Sequence, residues 1–557
     1  MSRMIGDDSS WGPSHQYMDP PFRRSHPFAS CMGGLFTLVL LLCAGLFLRS
    51  AIGSGSGSVF AWTIGLVIAV VVLRVALTLG VGVLTRTPRT RALPVPRAPA
   101  ATDGPVSRRP VSPAARVREG LLRVGSGAYL GENEYGEWVA ADPESAVMIL
   151  GPPRSGKTSA VMIPALMAAS GAVVSTSTKP DVMRATMNAR MEIGEVWLFD
   201  PSASEPVPEG ARRLSWSPVS ASSSWDEALI MARAMTAASR AGAGTTNESH
   251  WSERAAALLG PLLYAAHLTD RPIEDVLRWT LRQDLVPALE VLADAETQIA
   301  ADVLVGIERT DARERSSIFS ATAGVLSAYN SDSARQTAAS PNFDPIRFAA
   351  STDTLYITSS EHRQAVFAPL IVGLLEQIRH AVYEYARNHP LGLGMLWLLD
   401  EVANIAPIHD LPALVSQAGG QNLQVVIGLQ DLSQARTRWG TDATDGFLSL
   451  FQAKLILNGI ADTRTLEAVS LALGEYDRDV TSQALGHSQL QEWFTHPTHS
   501  DTVSYQTQRQ RVLTPGEIAR LPDGHGLLLR GTDRELLRLT RWYESEPWRT
   551  VGADTAG

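Results

Sequence analysis

Hydrophobic and polar positions along this chain change rhythm several times, and each change marks a boundary. The first rhythm is continuous apolarity: "PFASCMGGLFTLVLLLCAGLFL" (27–48) and "AIGSGSGSVFAWTIGLVIAVVVL" (51–73) contain no charged residue. Each apolar core reaches the roughly 20 residues that a bilayer-spanning helix needs, the second by running past Arg74, which can snorkel or face a partner helix. The pattern predicts a transmembrane hairpin over 27–84 with a short Gly/Ser loop. A cleaved signal peptide explains the first run less well, because a second span follows it. Arg23 and Arg24 precede the first span and Arg86, Arg89, Arg91 and Arg97 follow the second, while the loop carries only Arg49 at its edge. By the positive-inside rule this predicts a multi-pass protein of the cell membrane with both termini cytoplasmic. The next stretch, 85–117, is rich in Pro, Ala and Arg without apolar period and reads as a flexible, solvated tether.

From residue 118 short apolar runs alternate with helical-period segments. "AVMIL" (146–150), "GAVVSTSTKPDV" (171–182) and "GEVWLFDPS" (194–202) predict strands separated by helices, the order of a parallel sheet. Between 223 and 340 the strand rhythm disappears, and "HWSERAAALLGPLLYAAHL", "IEDVLRWTLRQDLVPALEVLADA" and "RSSIFSATAGVLSAY" place apolar residues at helical spacing. An all-α insertion is predicted there. Strands resume at "TDTLYITSS" (352–360), followed by a long helix over His362–Asn388 and by the most apolar strand, within "GMLWLLDEVANI" (394–405).

The candidate chemistry sits where strands end. "GPPRSGKTS" (151–159) meets the pattern GxxxxGK[ST] through Gly151, Gly156, Lys157 and Thr158, with an apolar strand before it and "TSAVMIPALMAAS" after it as a helix. Glycines let backbone N–H groups turn in around phosphate oxygens, a lysine supplies charge to the β- and γ-phosphates, and a threonine hydroxyl can ligand Mg²⁺. A helix N-terminus facing the anion adds to this. The whole loop, Gly151, Pro152, Pro153, Arg154, Ser155, Gly156, Lys157, Thr158 and Ser159, is therefore the candidate nucleotide-binding segment.

The strand at 394–399 ends in Asp400 and Glu401, the arrangement an Mg²⁺-dependent ATPase needs: Asp400 to hold the metal together with Thr158, Glu401 to polarise the attacking water. "LQVVIGLQDLSQARTRWG" places Gln430 at the end of another strand, where its amide can sense the γ-phosphate. The candidate catalytic set is Lys157, Glu401 and Gln430, with ATP and Mg²⁺ as nucleotide and metal. "QAGGQ" (417–421) superficially matches the signature loop of ABC transporters, but it follows Asp400 and Glu401 instead of preceding them, so the match is rejected. "AGGQN" reads as a tight turn whose glycines supply positive φ.

Composition narrows the class further. The 557 residues are 45% hydrophobic and 19% charged, an ordinary globular balance with some apolar excess, enough for two or three domains. The only cysteines, Cys31 and Cys43, lie in or beside the first predicted span, which rules out a disulfide framework and a cysteine metal site. No His/Cys metal spacing and no nucleophile–base triad stands out. A net charge of −9 argues against a surface that binds DNA everywhere.

The ordered set "GPPRSGKTS", "VVSTSTKPD", "LFDP", "SWSPV", "HWSERAAALL", "LWLLDEVANI", "VVIGLQDLSQ" and "KLILNGIADTRTLEAVSLALG" resembles the type IV secretion coupling proteins of the TraG/TraD family, membrane-anchored ATPases of conjugative DNA transfer. The tail "RVLTPGEIARLPDGHGLLLRGTDRELLRLTRWYE" is similar to the segment that closes the family's nucleotide-binding domain. The resemblance runs from 27 to 546. It implies an α/β fold, a RecA-like P-loop NTPase with an inserted all-α domain, preceded by two transmembrane helices. The division is a cytoplasmic N-terminal segment (1–26), the hairpin (27–84), a linker (85–117), the nucleotide-binding domain (118–222 and 341–546), the all-α domain (223–340) and a disordered tail (547–557).

It further implies a homohexamer with nucleotide between neighbours, and, as substrate and partners, DNA, a relaxase and the channel components of a type IV secretion system. Lys157, Thr158, Asp400, Glu401 and Gln430 take the family's Walker A, Walker B and sensor roles. One departure is plain: family members offer an arginine to the neighbour's γ-phosphate from shortly before that glutamine, and "SQAGGQNLQVVIGLQ" has none. The trans-acting charge then comes from elsewhere, with Arg436 and Arg438 as the candidates, or is absent. Two alternatives remain, an FtsK-like pump for double-stranded DNA and a nucleotide-binding membrane adaptor with little hydrolysis.

Overall fold

The structure is a computed structural model that describes residues 112–239, 246–295, 298–390, 392–485 and 501–553. Both predicted membrane spans, Cys31, Cys43 and the N-terminal segment lie outside the described residues.

The apolar runs form the middle of a twelve-stranded sheet. Its strands are β1 (Tyr129–Glu132), β2 (Trp138–Ala140), β3 (Val147–Leu150), β4 (Val173–Ser177), β5 (Val196–Phe199), β6 (Ala211–Arg213), β7 (Thr354–Thr358), β8 (Met395–Leu399), β9 (Leu423–Leu429), β10 (Ala453–Leu457), β13 (His525–Arg530) and β14 (Asp533–Arg538), in the order β2-β1-β14-β13-β10-β3-β9-β8-β4-β7-β5-β6. From β10 to β6 every neighbouring pair is parallel, and from β13 to β2 every pair is antiparallel. Parallel strands are covered on both faces, which is why β3, β8 and β9 are buried at every position and read as unbroken apolar runs. Alternate residues serve opposite layers. Met148 and Leu150 pack toward the long helix Gln364–Asn388, while Val147 and Ile149 pack toward the helix Ile163–Ala168.

Between β6 and β7 the described residues contain helices alone, from Trp225–Ala238 through Pro345–Ala349. They pack on the long helix Gln364–Asn388, which is tied to the "SWSPV" stretch leading into them by Trp216, whose Nε1–H donates to Gln377 Oε1 at 2.8 Å. Gly373 completes that contact: a methyl group there would meet Trp216 Cη2 at 2.9 Å and Met231 Sδ at 3.0 Å. The stretch Glu361–Asn388 is long and apolar enough to cross a membrane, yet 67% of its most apolar window is buried, as expected of a core helix lying against the sheet.

Several local expectations change. The helix after the phosphate loop opens as a π-turn, Lys157–Met162, before Ile163–Ala168 continues as α. Pro164 has no N–H for the carbonyl of Ala160, so a regular ladder cannot run through this point. In "AGGQN" the positive φ belongs to Asn422, at 56°, not to the glycines. Gly419 is instead required by close approach, because a Cβ there would lie 1.9 Å from the carbonyl oxygen of Glu144. The end of the supposed tether is ordered as the helix Pro113–Val124, with Ser112 accepting from the N–H of Ala115 at 3.1 Å and Pro113 in the first turn. Within the tail expected to be disordered, Trp548–Ala553 is helical. Its Trp548 is buried between Tyr129 and Trp138, with ring centroids 4.8 and 5.0 Å away.

Candidate nucleotide-binding site

The loop after β3 is held by its own backbone. Arg154 and Gly156 adopt left-handed φ of 69° and 96°, and the N–H of Ser155 donates to the carbonyl of Pro152 at 3.3 Å. Gly151 lies where a methyl group would come within 2.6 Å of Ser155 Oγ. Left-handed turns at Arg154 and Gly156 give the loop the backbone form that cradles an anion. Ser155 Oγ is buried there without a hydrogen-bond partner.

β8 delivers the second half of the site. Thr158 Oγ1 donates to Asp400 Oδ2 at 2.6 Å, and Lys157 Nζ lies 3.2 Å from Asp400 Oδ1, with all three side chains largely shielded. Asp400 is itself fixed: its Oδ1 accepts from the N–H of Glu401 at 3.0 Å, and its carbonyl accepts from Thr176 Oγ1 at 3.1 Å. Glu401 has a left-handed backbone, φ 49° and ψ 45°, which turns the chain sharply out of the strand.

Around these groups lies a cleft of about 520 Å³, walled by Pro152, Pro153, Arg154, Gly156, Lys157, Thr158, Ser159, Asp400, Glu401 and Gln430. Gly151 and Ser155 shape the loop and are not part of this wall. Gln430 is positioned through its backbone N–H, which donates to Gln434 Oε1 at 3.0 Å. The site occupies the C-terminal ends of parallel strands, where open α/β sheets bind ligands. Its donors suit a nucleoside triphosphate with Mg²⁺: a nest of N–H groups and an ammonium for phosphates, and hard oxygens from Thr158 and Asp400 for the metal.

Three contributions were not assigned from sequence. Gly428 lies on β9, which separates β3 from β8, and its lack of a side chain leaves room for Lys157 and Asp400 to meet above it. The "STKPD" stretch brings Ser177, Thr178, Lys179 and Asp181 into the cleft wall, and the C-terminal segment brings Trp542 and Tyr543. By contrast, both arginines expected to reach a neighbour are engaged within the chain. Arg436 pairs with Asp462, and Arg438 donates to the carbonyl of Ala238 at 2.9 Å and to those of Ala237 and Pro407 at 3.4 Å. Nothing in residues 431–440 warned of these partners, because they lie on distant segments.

A parallel-rich mixed sheet carrying a phosphate loop on one strand and an Asp-Glu pair two strands away has the layout of a P-loop nucleotide-binding fold. The chain belongs to the type IV secretory system conjugative DNA transfer family, whose model matches residues 111–550. Among solved structures it is similar to the bacterial conjugative coupling protein TrwBΔN70 in its unbound form, at 17% identity over 75% of this chain and 90% of that one, with a TM-score of 0.54. The plasmid coupling protein TrwB in complex with ADP and Mg²⁺ matches at 18% identity over 75% and 91% of the two chains, with a TM-score of 0.54. TrwB with a non-hydrolysable ATP analogue matches at 18% identity over 73% and 88%, with a TM-score of 0.53. At such identities the likeness establishes the shared fold. No curated protein matches the chain by sequence.

Proposed function

We propose that this protein is a membrane-anchored, hexameric ATPase that couples ATP hydrolysis to recruiting a relaxase–DNA substrate and moving it into a type IV secretion channel. The observation that carries the reading is the meeting of Lys157, Thr158 and Asp400 at the ends of β3 and β8, within a chain of the conjugative DNA transfer family.

In this reading the loop N–H groups and the Lys157 ammonium bind the β- and γ-phosphates of ATP. Mg²⁺ held by Thr158 and Asp400 would neutralise charge on the phosphate oxygens. The Glu401 carboxylate orients a water and takes its proton as the water oxygen bonds to the γ-phosphorus. The bond from that phosphorus to the bridging oxygen breaks, and ADP leaves with its electron pair. The Gln430 amide, next to Gln434 at the start of the following helix, reads the presence of the γ-phosphate. Lys157 and Thr158 both contact Asp400 directly in this structure, so binding exchanges those contacts for phosphate and metal.

ATP binding and turnover by the purified protein with Mg²⁺ test this. Glu401→Gln is expected to bind ATP and not turn it over, and Lys157→Ala to lose binding. Wild-type protein that binds ATP without hydrolysing it would favour the adaptor reading.

A further inference from the structure

One wall of the nucleotide cleft comes from neither the phosphate loop nor the Asp-Glu strand. Beyond β14 the chain crosses back over the sheet, and the N–H of Trp542 donates to the carbonyl of Ser159 at 3.0 Å, one residue past Thr158. This places Trp542 and Tyr543 in the cleft wall beside the first helical turn. The Trp542 ring is pinned from behind, since even a methyl group on Gly552 would come within 2.2 Å of Trp542 Cζ3. Tyr543 meets that ring edge to face, with centroids 5.7 Å apart at 84°, and remains 47% exposed. The helix carrying Gly552 is in turn anchored by Trp548, stacked on Trp138 and buried to 1% exposure. An open aromatic face is thus held firmly at the margin of a phosphate site, with no role in the chemistry described above.

We propose that Tyr543, backed by Trp542, is the platform on which the base of the bound nucleotide stacks, and that it makes the site selective for purines without distinguishing adenine from guanine. The inference rests on the nucleotide-binding reading of the same cleft. With the phosphates taken by the loop N–H groups and Lys157, the nucleoside projects out of the cradle along the wall that Trp542 and Tyr543 form. A flat apolar face there removes the base from water and gains from ring stacking. Stacking reads area, not a donor–acceptor pattern, because every base has a π-face. The larger bicyclic purines therefore gain more than pyrimidines, while adenine and guanine fare alike.

The test is equilibrium binding to the full-length protein in detergent with Mg²⁺, using ATP, GTP, CTP and inorganic tripolyphosphate, read by calorimetry. Wild type should bind ATP and GTP with similar affinity and CTP more weakly. Tyr543→Ala should weaken ATP and GTP by roughly tenfold to a hundredfold and leave tripolyphosphate unchanged, and Tyr543→Phe should restore both purine nucleotides. Unchanged ATP binding by Tyr543→Ala overturns the platform. An equal loss of tripolyphosphate also overturns it, since Tyr543 would then support the loop and not the base. Wild-type protein that binds neither ATP nor tripolyphosphate overturns the nucleotide-binding reading itself, and the platform with it.

Discussion

A methyl group on Gly428 would lie 2.7 Å from Oδ1 of Asp400, so the glycine of β9 and the aspartate at the end of β8 share space that only a hydrogen can occupy. The same methyl would meet Met162 Cε at 2.7 Å and Lys157 Cδ at 3.2 Å. Gly428→Ala must therefore push apart the two charged groups that define the site. Its ATPase rate should fall by about a hundredfold, the effect of ångström-scale misplacement, with a stability loss of about 1–3 kcal/mol from overpacking. Steady-state turnover and thermal melts check both, and a wild-type rate would show that this close packing is not needed.

Asp400 is expected to govern the demand for metal. It is the oxygen donor beside Thr158, and an amide in its place offers a weaker, neutral ligand. Asp400→Asn should raise the Mg²⁺ concentration for half-maximal ATPase activity by about tenfold or more, and a Mg²⁺ titration reads this directly. An unshifted titration midpoint would remove Asp400 from the metal site.

Arg190 is a structural keystone remote from the chemistry. It is fully buried, and its guanidinium donates to Thr354 Oγ1 at 2.7 Å, to the carbonyls of Gly171 at 2.7 Å and Thr352 at 2.9 Å, and to that of Ala169. Burial pulls its pKa down to about 10, which still leaves it charged near neutrality. Arg190→Ala strips these acceptors of their donor and should cost about 3–5 kcal/mol. Arg190→Lys should recover only part of that, because an ammonium cannot reproduce the planar fork. Urea midpoints of the two variants test this, and equal midpoints for wild type and Arg190→Ala would contradict it.

Arg436 and Arg438 are expected to matter for architecture, not for turnover. Arg436 joins Asp462, whose carboxylate also accepts from Thr465 N–H at 3.0 Å and Oγ1 at 2.5 Å, while Arg438 ties its helix to the end of Trp225–Ala238. Alanine at either position should keep kcat within about twofold while lowering Tm by a few degrees, for a loss of about 1–2 kcal/mol. For Arg438→Ala, hydrogen exchange should quicken across 231–239. A hundredfold fall in kcat with unchanged stability would instead return these arginines to the catalytic machinery.

The parts of this structure that were legible in the sequence are those where one physical demand dominates a local run. Strands buried on both faces announce themselves as "VMIL" or "MLWLL", and a phosphate loop needs its glycines and lysine at fixed spacing. The antiparallel edge was harder. β14, "DRELLR", faces solvent at four of its six positions with charges interleaved. The hairpin of β11 (Glu475–Leu485) and β12 (Asp501–Arg511) is polar and exposed from Glu475 to Arg478, so no apolar alternation marks it. Gly428 gave no signal either, because its role depends on which strands flank β9. Trp542 and Tyr543 stood in the recognised tail, but only the return of the chain to Ser159 places them at the cleft.

The most direct measurement is the ATPase rate of the full-length protein with and without single-stranded and double-stranded DNA, alongside Glu401→Gln. A motor of conjugative transfer should hydrolyse ATP faster with single-stranded DNA than without, and the Glu401→Gln protein should show no turnover under either condition. ATP bound but not hydrolysed, with or without DNA, in a preparation shown to be hexameric, would contradict a DNA-coupled ATPase.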